Sequence, residues 1–282
     1  MIRLVRFCLA LSLFLAASLQ GIAHAAEPHR LVAGTELISD IARDLLRDDV
    51  EILTLIPASS CPGHHDIRAS DMAFFSKAQM VIIHSWQRAY PGIPEAMQAA
   101  RLSEEALRIV ESRGSFLVPE NQIAASENIA GFLSGLPGVD KAELEKRLAD
   151  RIRRITDLAA ECEKTLAPFK GTPALSAFMQ EEFVRWTGMD VVGQYGRGED
   201  LSPGMLIELA DKGKRAGVVV VVDNLQSGAE AGVPLARELK AAHVSFSNFP
   251  MYSSEAPTYE ALLTRNTTLL HDALAARLKN GR

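Results

Sequence analysis

One apolar stripe in the middle of the chain limits what it can fold into. Pro137 and Gly138 break the preceding pattern, Asp140 offers an N-cap, and Glu143 stands where a capping box would place it. Leu144, Leu148, Ile152, Ile155, Ala159, Cys162 and Leu166 then recur at spacings of three, four or seven, which is one face of a helix. Pro168 and Gly171 close it. Roughly 27 residues at 1.5 Å each reach about 40 Å, more than the width of a small lobe. The stripe predicts a rigid connector over residues 138–168 that runs the height of a two-lobed protein.

Both flanks of this connector alternate between short apolar runs and helical segments. Before it, strands are expected at 31–33, 50–56 and 80–83, with helices at 37–46 and 69–77. After it, strands are expected at 174–178, 191–192, 218–222 and 244–246, with helices near 181–187, 203–215, 230–241 and 258–279. Strands alternating with helices imply βαβ units and parallel sheets. The five consecutive valines at 218–222 suit a central strand covered on both faces. The predicted fold is therefore α/β. It has two βα lobes with mainly parallel sheets, at 26–137 and 169–282, joined by the one long helix, with a ligand cleft between the lobes.

The first 25 residues read as an address. Arg3 and Arg6 precede an apolar stretch over 7–19, and Ala23-His24-Ala25 has the small-x-small form of a cleavage site. The stretch is short of the about 20 apolar residues that a membrane span needs. Export to the periplasm with cleavage after Ala25 is expected. Losing two arginines and no acid takes the net charge from −5 to −7. An acidic chain lacks the basic footprint of a nucleic-acid binder, so no nucleic-acid partner is expected. Cys61 and Cys162 remain in an oxidising compartment, and their pairing stays open because it depends on a Cα separation within about 7 Å. Hydrophobic residues at 48% and charged residues at 23% exclude disordered and disulfide-dense classes.

In open parallel sheets, ligands lie beyond the carboxyl ends of the strands. The polar residues expected there are Thr35 and Glu36, then the run Ser59-Ser60-Cys61-Pro62-Gly63-His64-His65-Asp66, then His84 and Ser85. The second half supplies Gln180, Glu181, Gln194, Asp223, Asn224, Gln226, Ser247 and Asn248. Three of the six histidines beyond the leader fall at strand ends of the first lobe. Imidazole together with carboxylate suits zinc, manganese or iron. Each residue also has an ordinary explanation. Glu36 can be a first-turn acid, His64 and His65 turn residues, His84 a locally bonded loop residue, Cys61 a buried thiol, and Asn248 the shaper of the turn before Pro250. Their convergence on one edge carries the expectation of a site. A G-x-S-x-G elbow, an H-E-x-x-H helix, a C-x-x-C pair and a Walker loop are all absent from the sequence.

Several segments together resemble a known family. Residues 31–46, then Pro62-Gly63-His64 leading to Ser70-Asp71, the Ser202-Pro203 start running to Leu206, and Thr258, Tyr259, Leu262, Leu263 and Asn266 are similar to the metal-binding substrate-binding proteins of zinc/manganese-type ABC transporters. The resemblance implies a monomeric periplasmic protein that hands a transition-metal ion to a membrane permease by capture and release. The single long helix between the lobes should allow only a small closing motion.

The resemblance maps the family's first histidine onto His64, with His65 as the alternative. The segments where two further histidines would stand, 114–119 and 177–181, contain none, and Asn248 occupies the acid's position. A shifted metal site of His64, His84 and Glu36 is then expected, with Gln180, Glu181, Asn224 or Asn248 contributing from the second lobe. Amides at Gln122, Gln180, Asn224, Gln226 and Asn248 keep open a metal chelate or a small polar organic ligand instead. A secreted zinc hydrolase using Glu36 or Glu181 as base is the remaining alternative.

Overall fold

A computed structural model describes residues 27–59, 67–111, 114–251 and 256–280. The expected leader and the run holding Cys61, His64 and His65 lie outside the described residues.

The first lobe is built from β1 (His29–Thr35), α1 (Glu36–Leu46), β2 (Val50–Ile56), the short α2 (Met72–Phe75), β3 (Met80–His84), α3 (Gly92–Ala99), β4 (Leu107–Val110) and α4 (Pro119–Leu133). α5 (Lys141–Leu166) connects it to the second lobe. There β5 (Pro173–Ala177), α6 (Glu181–Trp186), β6 (Asp190–Tyr195), α7 (Pro203–Ala216), β7 (Val220–Asn224), α8 (Leu225–Gly228), α9 (Val233–Leu239), β8 (Ala242–Phe246) and α10 (Tyr259–Asn280) follow. Each lobe has one four-stranded parallel sheet, in the orders β2-β1-β3-β4 and β6-β5-β7-β8. Numbered within its own lobe, each sheet has the same order, so the two lobes repeat one topology. The central strands β3 and β7 are buried along their whole length, and β7 takes Val220 to Val222 of the valine run, starting two residues later than expected.

Four elements are additions to the sequence reading: α3, β4, α4 and the four-residue α8. β4 is half-buried at three of its four residues and carries Arg108, so it lacks a clear apolar run. α4 buries Gln122 and Ser126 beside Ala125, Ile129 and Leu133, which dilutes its apolar period. The helix expected at 69–77 is shorter, a 3-10 turn over Ala69–Asp71 followed by α2.

α5 has 26 residues and begins as expected, with Asp140 accepting from the backbone N–H groups of Ala142 (3.0 Å) and Glu143 (3.2 Å). Glu143 does not complete a capping box; its carboxylate turns along the helix to Arg147 at 3.0 Å. Leu144, Ile155, Cys162 and Leu166 are buried, whereas Ile152 is half-buried. Its neighbour Arg151 takes the central buried position at 1% exposure. The guanidinium bonds Asp40 at 2.7 Å and Asp44 at 3.0 Å, both on α1, and Ser126 of α4 at 3.1 Å. A charge this deep is tolerable only when paired and bonded throughout. Arg154 extends the network from Asp44 to Glu260 of α10.

One apolar core runs through both lobes. Leu31, Ile82 and Ile129 of the first lobe join Phe183, Val222 and Phe246 of the second through Leu144, Ile155 and Leu166 of α5 and Tyr259 and Leu262 of α10. Tyr259 also donates its hydroxyl to the Leu117 carbonyl at 2.8 Å, fixing the start of α10 to the first lobe. The outer faces of the two sheets have separate cores, around Phe75 and Val81 and around Tyr195 and Val221. Cys162 is a buried free thiol among the described residues.

Candidate functional site

The carboxyl ends of both sheets face a cavity of about 700 Å³ between the lobes. His84 ends β3, Ala177 ends β5, Tyr195 ends β6 and Asn224 ends β7, and all four line it, together with Asn248 just beyond β8. Parallel strands leave their loops at one edge, so the topology alone gathers these residues.

His84 is held tightly. Its Nε2 lies 2.8 Å from Thr35 Oγ1, which ties the end of β3 to the end of β1. Its backbone N–H donates to Gln87 Oε1 at 3.0 Å, and Gln87 Nε2 donates to the Gly34 carbonyl at 3.1 Å. A Cβ on Gly34 would come within 2.0 Å of Gln87 Oε1, so this strap requires glycine there. The ring stacks on Trp86 at 5.4 Å and meets Phe116 at 4.5 Å. At 3% exposure, burial pushes the imidazole down to about 3, so it stays neutral. Nδ1 sits near the Gln87 backbone N–H in the manner of a capping box, yet it makes no hydrogen bond of acceptable geometry.

The second-lobe residues form a polar scaffold. Gln180 Nε2 donates to Asn248 Oδ1 at 2.6 Å, and the Asn248 backbone N–H donates to Gln226 Oε1 at 2.9 Å. Gln226 reaches across the cleft, donating to the Ala58 carbonyl of the first lobe at 3.0 Å. Asn224 caps α8 by accepting from the Gln226 backbone N–H. Tyr195 donates to the fully buried Asp223 at 2.7 Å, and Asp223 also bonds His243 at 2.6 Å and the Gly232 N–H. Burial and the adjacent Asp223 carboxylate raise the Tyr195 phenol far above its ordinary range.

The structure brings His84, Glu181, Asn224, Gln226 and Asn248 together around the cavity. Glu36 and Gln180 are not on its wall. Glu36 pairs with Arg43 at 3.1 Å along α1, and Gln180 turns inward behind Asn248. Glu181 lines the cavity but pairs with Arg185 at 2.9 Å. Gln122 is also elsewhere: in the amide orientation that satisfies both ends, it bridges Arg151 and the Phe116 carbonyl. Among the described residues, no group of three or more His, Cys, Asp or Glu side chains is arranged to hold a metal ion.

Sequence reasoning missed two features of the site. The first is the aromatic and thioether lining from Trp86, Tyr90, Phe116, Phe178, Met179 and Phe249. Trp86, Phe178 and Met179 stand within two residues of strand ends already marked for their polar neighbours, so an apolar search of the same loops would have found them. The second is a latch across the cleft. Glu182 of α6 accepts from the Ser115 backbone N–H at 2.5 Å and from Asn121 Nδ2 at 2.9 Å, both in the first lobe.

Comparison with known proteins agrees with this architecture. The family model for the periplasmic component A of zinc-uptake complexes (ZnuA) matches residues 31–273. The crystal structure of ZnuA superposes with a TM-score of 0.73 at 15% identity, covering 88% of this chain and 99% of that one. A periplasmic metal-binding protein from Candidatus Liberibacter asiaticus superposes with a TM-score of 0.72 at 15% identity, covering 86% and 98%. Its manganese-bound form gives 0.69 at 15% identity over the same shares. At such identities the superpositions speak for the fold alone. A comparison with curated protein sequences finds no match.

Proposed function

We propose that this chain, which belongs to the periplasmic zinc-uptake component A family, captures a transition metal of the zinc or manganese class in the interlobe cleft and delivers it to an ABC permease. The observation that carries this reading is the cavity itself, enclosed by the carboxyl ends of two parallel sheets and containing a buried neutral imidazole.

His84 is one donor in this proposal. With its Nε2–H given to Thr35, its Nδ1 keeps a lone pair, the arrangement in which a ligating histidine is oriented by a hydrogen bond from its other nitrogen. His64 and His65 are the other nitrogen donors. Their segment follows Ala58, which is bonded to Gln226 on the cavity wall. Glu181 offers oxygen from the second lobe, and Asn248, whose side-chain oxygen is taken by Gln180, supports it together with Asn224 and Gln180. Glu36 lies off the cavity wall, pairs with Arg43 at the start of α1 and supplies no donor.

Capture without turnover is favoured over zinc hydrolysis, because both candidate bases, Glu36 and Glu181, are held in ion pairs. The protein acts as a periplasmic monomer after cleavage following Ala25. Calorimetric titration of untagged mature protein with zinc and with manganese tests the reading. The double variant His64→Ala, His65→Ala should lose affinity by about tenfold or more, about 1.4 kcal/mol, and His84→Ala likewise. Unchanged affinity in both variants would overturn the donor set, and absence of binding by wild type would overturn the function.

A further inference from the structure

We infer that the solute of this cleft is a planar aromatic chelate of the metal, an ion already held by a flat heteroaromatic chelator, rather than a bare ion. The inference rests on the reading of the cleft as a metal site, and four observations extend it.

The first is size. An ion with six waters, at about 30 Å³ each, fills roughly 200 Å³, whereas the cavity offers about 700 Å³, in the range of organic-ligand sites. The second is the chemistry of the walls. Trp86 and Phe116 flank His84 on the first lobe, and Phe178, Met179 and Phe249 line the second. Flat π-faces and a polarisable thioether are surfaces that a planar ring stacks on.

The third is exposure. Trp86 at 40%, Met179 at 52% and Phe178 at 62% hold large apolar side chains open to water on the lining of one cavity. A bare ion would leave that surface wet, and a stacked chelator would cover it. The fourth is the polar inventory. Asn224 and Asn248 give their side-chain oxygens to Gln226 and Gln180. Among the described residues neither amide nitrogen has an acceptor, so both remain available to acceptor atoms on a chelator. A chelator that already fills part of the ion's coordination shell leaves fewer positions for the protein to supply, which suits a cavity wall with few ligating groups among the described residues.

The test uses terpyridine, a flat three-nitrogen chelator that leaves zinc with open coordination positions. Untagged mature protein is titrated calorimetrically with zinc alone, with the one-to-one zinc–terpyridine complex, and with terpyridine alone. The complex should bind about tenfold tighter than zinc, or more, and that preference should shrink about tenfold in Trp86→Ala and in Phe178→Ala. Both side chains are partly exposed, so both variants should fold. Zinc alone binding at least as tightly as the complex would overturn this inference and leave the metal-capture reading standing, as would a preference untouched by either substitution. Terpyridine alone matching its complex, or no binding by any of the three, would overturn the metal-capture reading itself.

Discussion

Arg151→Met is the sharpest perturbation of the frame that holds the cleft. Methionine keeps an unbranched apolar stem, shorter by the guanidinium end, and removes the charge at a position that is 1% exposed. Asp44 retains Arg154, but Asp40 loses its 2.7 Å partner and keeps only the Tyr259 backbone N–H, at 3.3 Å. Removing one member of a buried pair costs about 3–5 kcal/mol, a large share of the about 5–15 kcal/mol that holds a domain folded. The loss should depend on pH in a defined direction. Burial pushes the Asp40 carboxyl up, and Arg151 opposes that rise. Without Arg151 the folded-state pKa climbs further above the unfolded value. A raised carboxyl contributes stability that is full below its unfolded pKa and is lost as pH rises through the folded one. The deficit of the variant relative to wild type should therefore shrink as pH falls from 7 to 5, by at most about 1.4 kcal/mol per unit. The double variant Asp40→Asn, Arg151→Met deletes the stranded charge and should recover about 2 kcal/mol or more at pH 7. Urea denaturation of metal-free protein at both pH values reads all three quantities. A single variant as stable as wild type, or a double variant no better than the single, would refute the reasoning.

Three further outcomes follow from the same geometry. Ile155→Asp should cost several kcal/mol, whereas Ile152→Asp, on the half-buried flank of α5, should cost clearly less; equal melting losses would contradict the facing described for the helix. Gly232→Ala would place a Cβ 2.3 Å from Tyr195 Oη and 2.6 Å from Val221. With Asp223 fixing the phenol, thermal denaturation should show about 1–3 kcal/mol of overpacking loss, and an unshifted Tm would sink that account. Glu182→Gln weakens the charge-assisted bonds to Ser115 and Asn121, so hydrogen exchange at the Ser115 amide should speed up about fivefold or more; unchanged protection would mean that the latch does not hold in solution.

The fold was legible wherever burial and apolarity coincide. The run Val50–Ile56 appears as a strand with the expected bounds, and α5 begins at the expected cap. The misses at α4 and α5 share one physical cause, a buried face that is partly polar, whereas α3 is only eight residues long and buries just Ile93, Ala96 and Met97. α4 hides Gln122 and Ser126, and α5 hides Arg151, so a search for apolar periodicity passes over α4 and places Ile152 where Arg151 sits. The strand-end rule located His84, Glu181, Asn224 and Asn248 because parallel topology delivers those positions whatever their chemistry. It could not foresee that Gln180 would turn inward to bond Asn248, or that Glu36 would find Arg43 two helical turns along. Those outcomes depend on rotamers and neighbours rather than on position in the chain. The aromatic walls escaped for the opposite reason, since attention to polar residues passed over the large apolar ones beside them.

The shared core also decides where selectivity can lie. Two lobes joined by flexible strands can close around a solute and adapt to its size. Here α5 is the connection, and the apolar cluster through Leu144, Ile155, Leu166 and Tyr259 packs against both sheets. Rotating one lobe on the other would shear that cluster and break the Tyr259–Leu117 bond, and packed interiors resist such strain. Movement is left to the open side, where Glu182 meets Ser115 and Asn121 and Gln226 meets Ala58 through a few hydrogen bonds. The width of the cavity is thus set largely by folding, before any solute arrives. A site that closes little discriminates through the chemistry of its walls, and here the large apolar side chains exposed on those walls are Trp86, Phe178 and Met179.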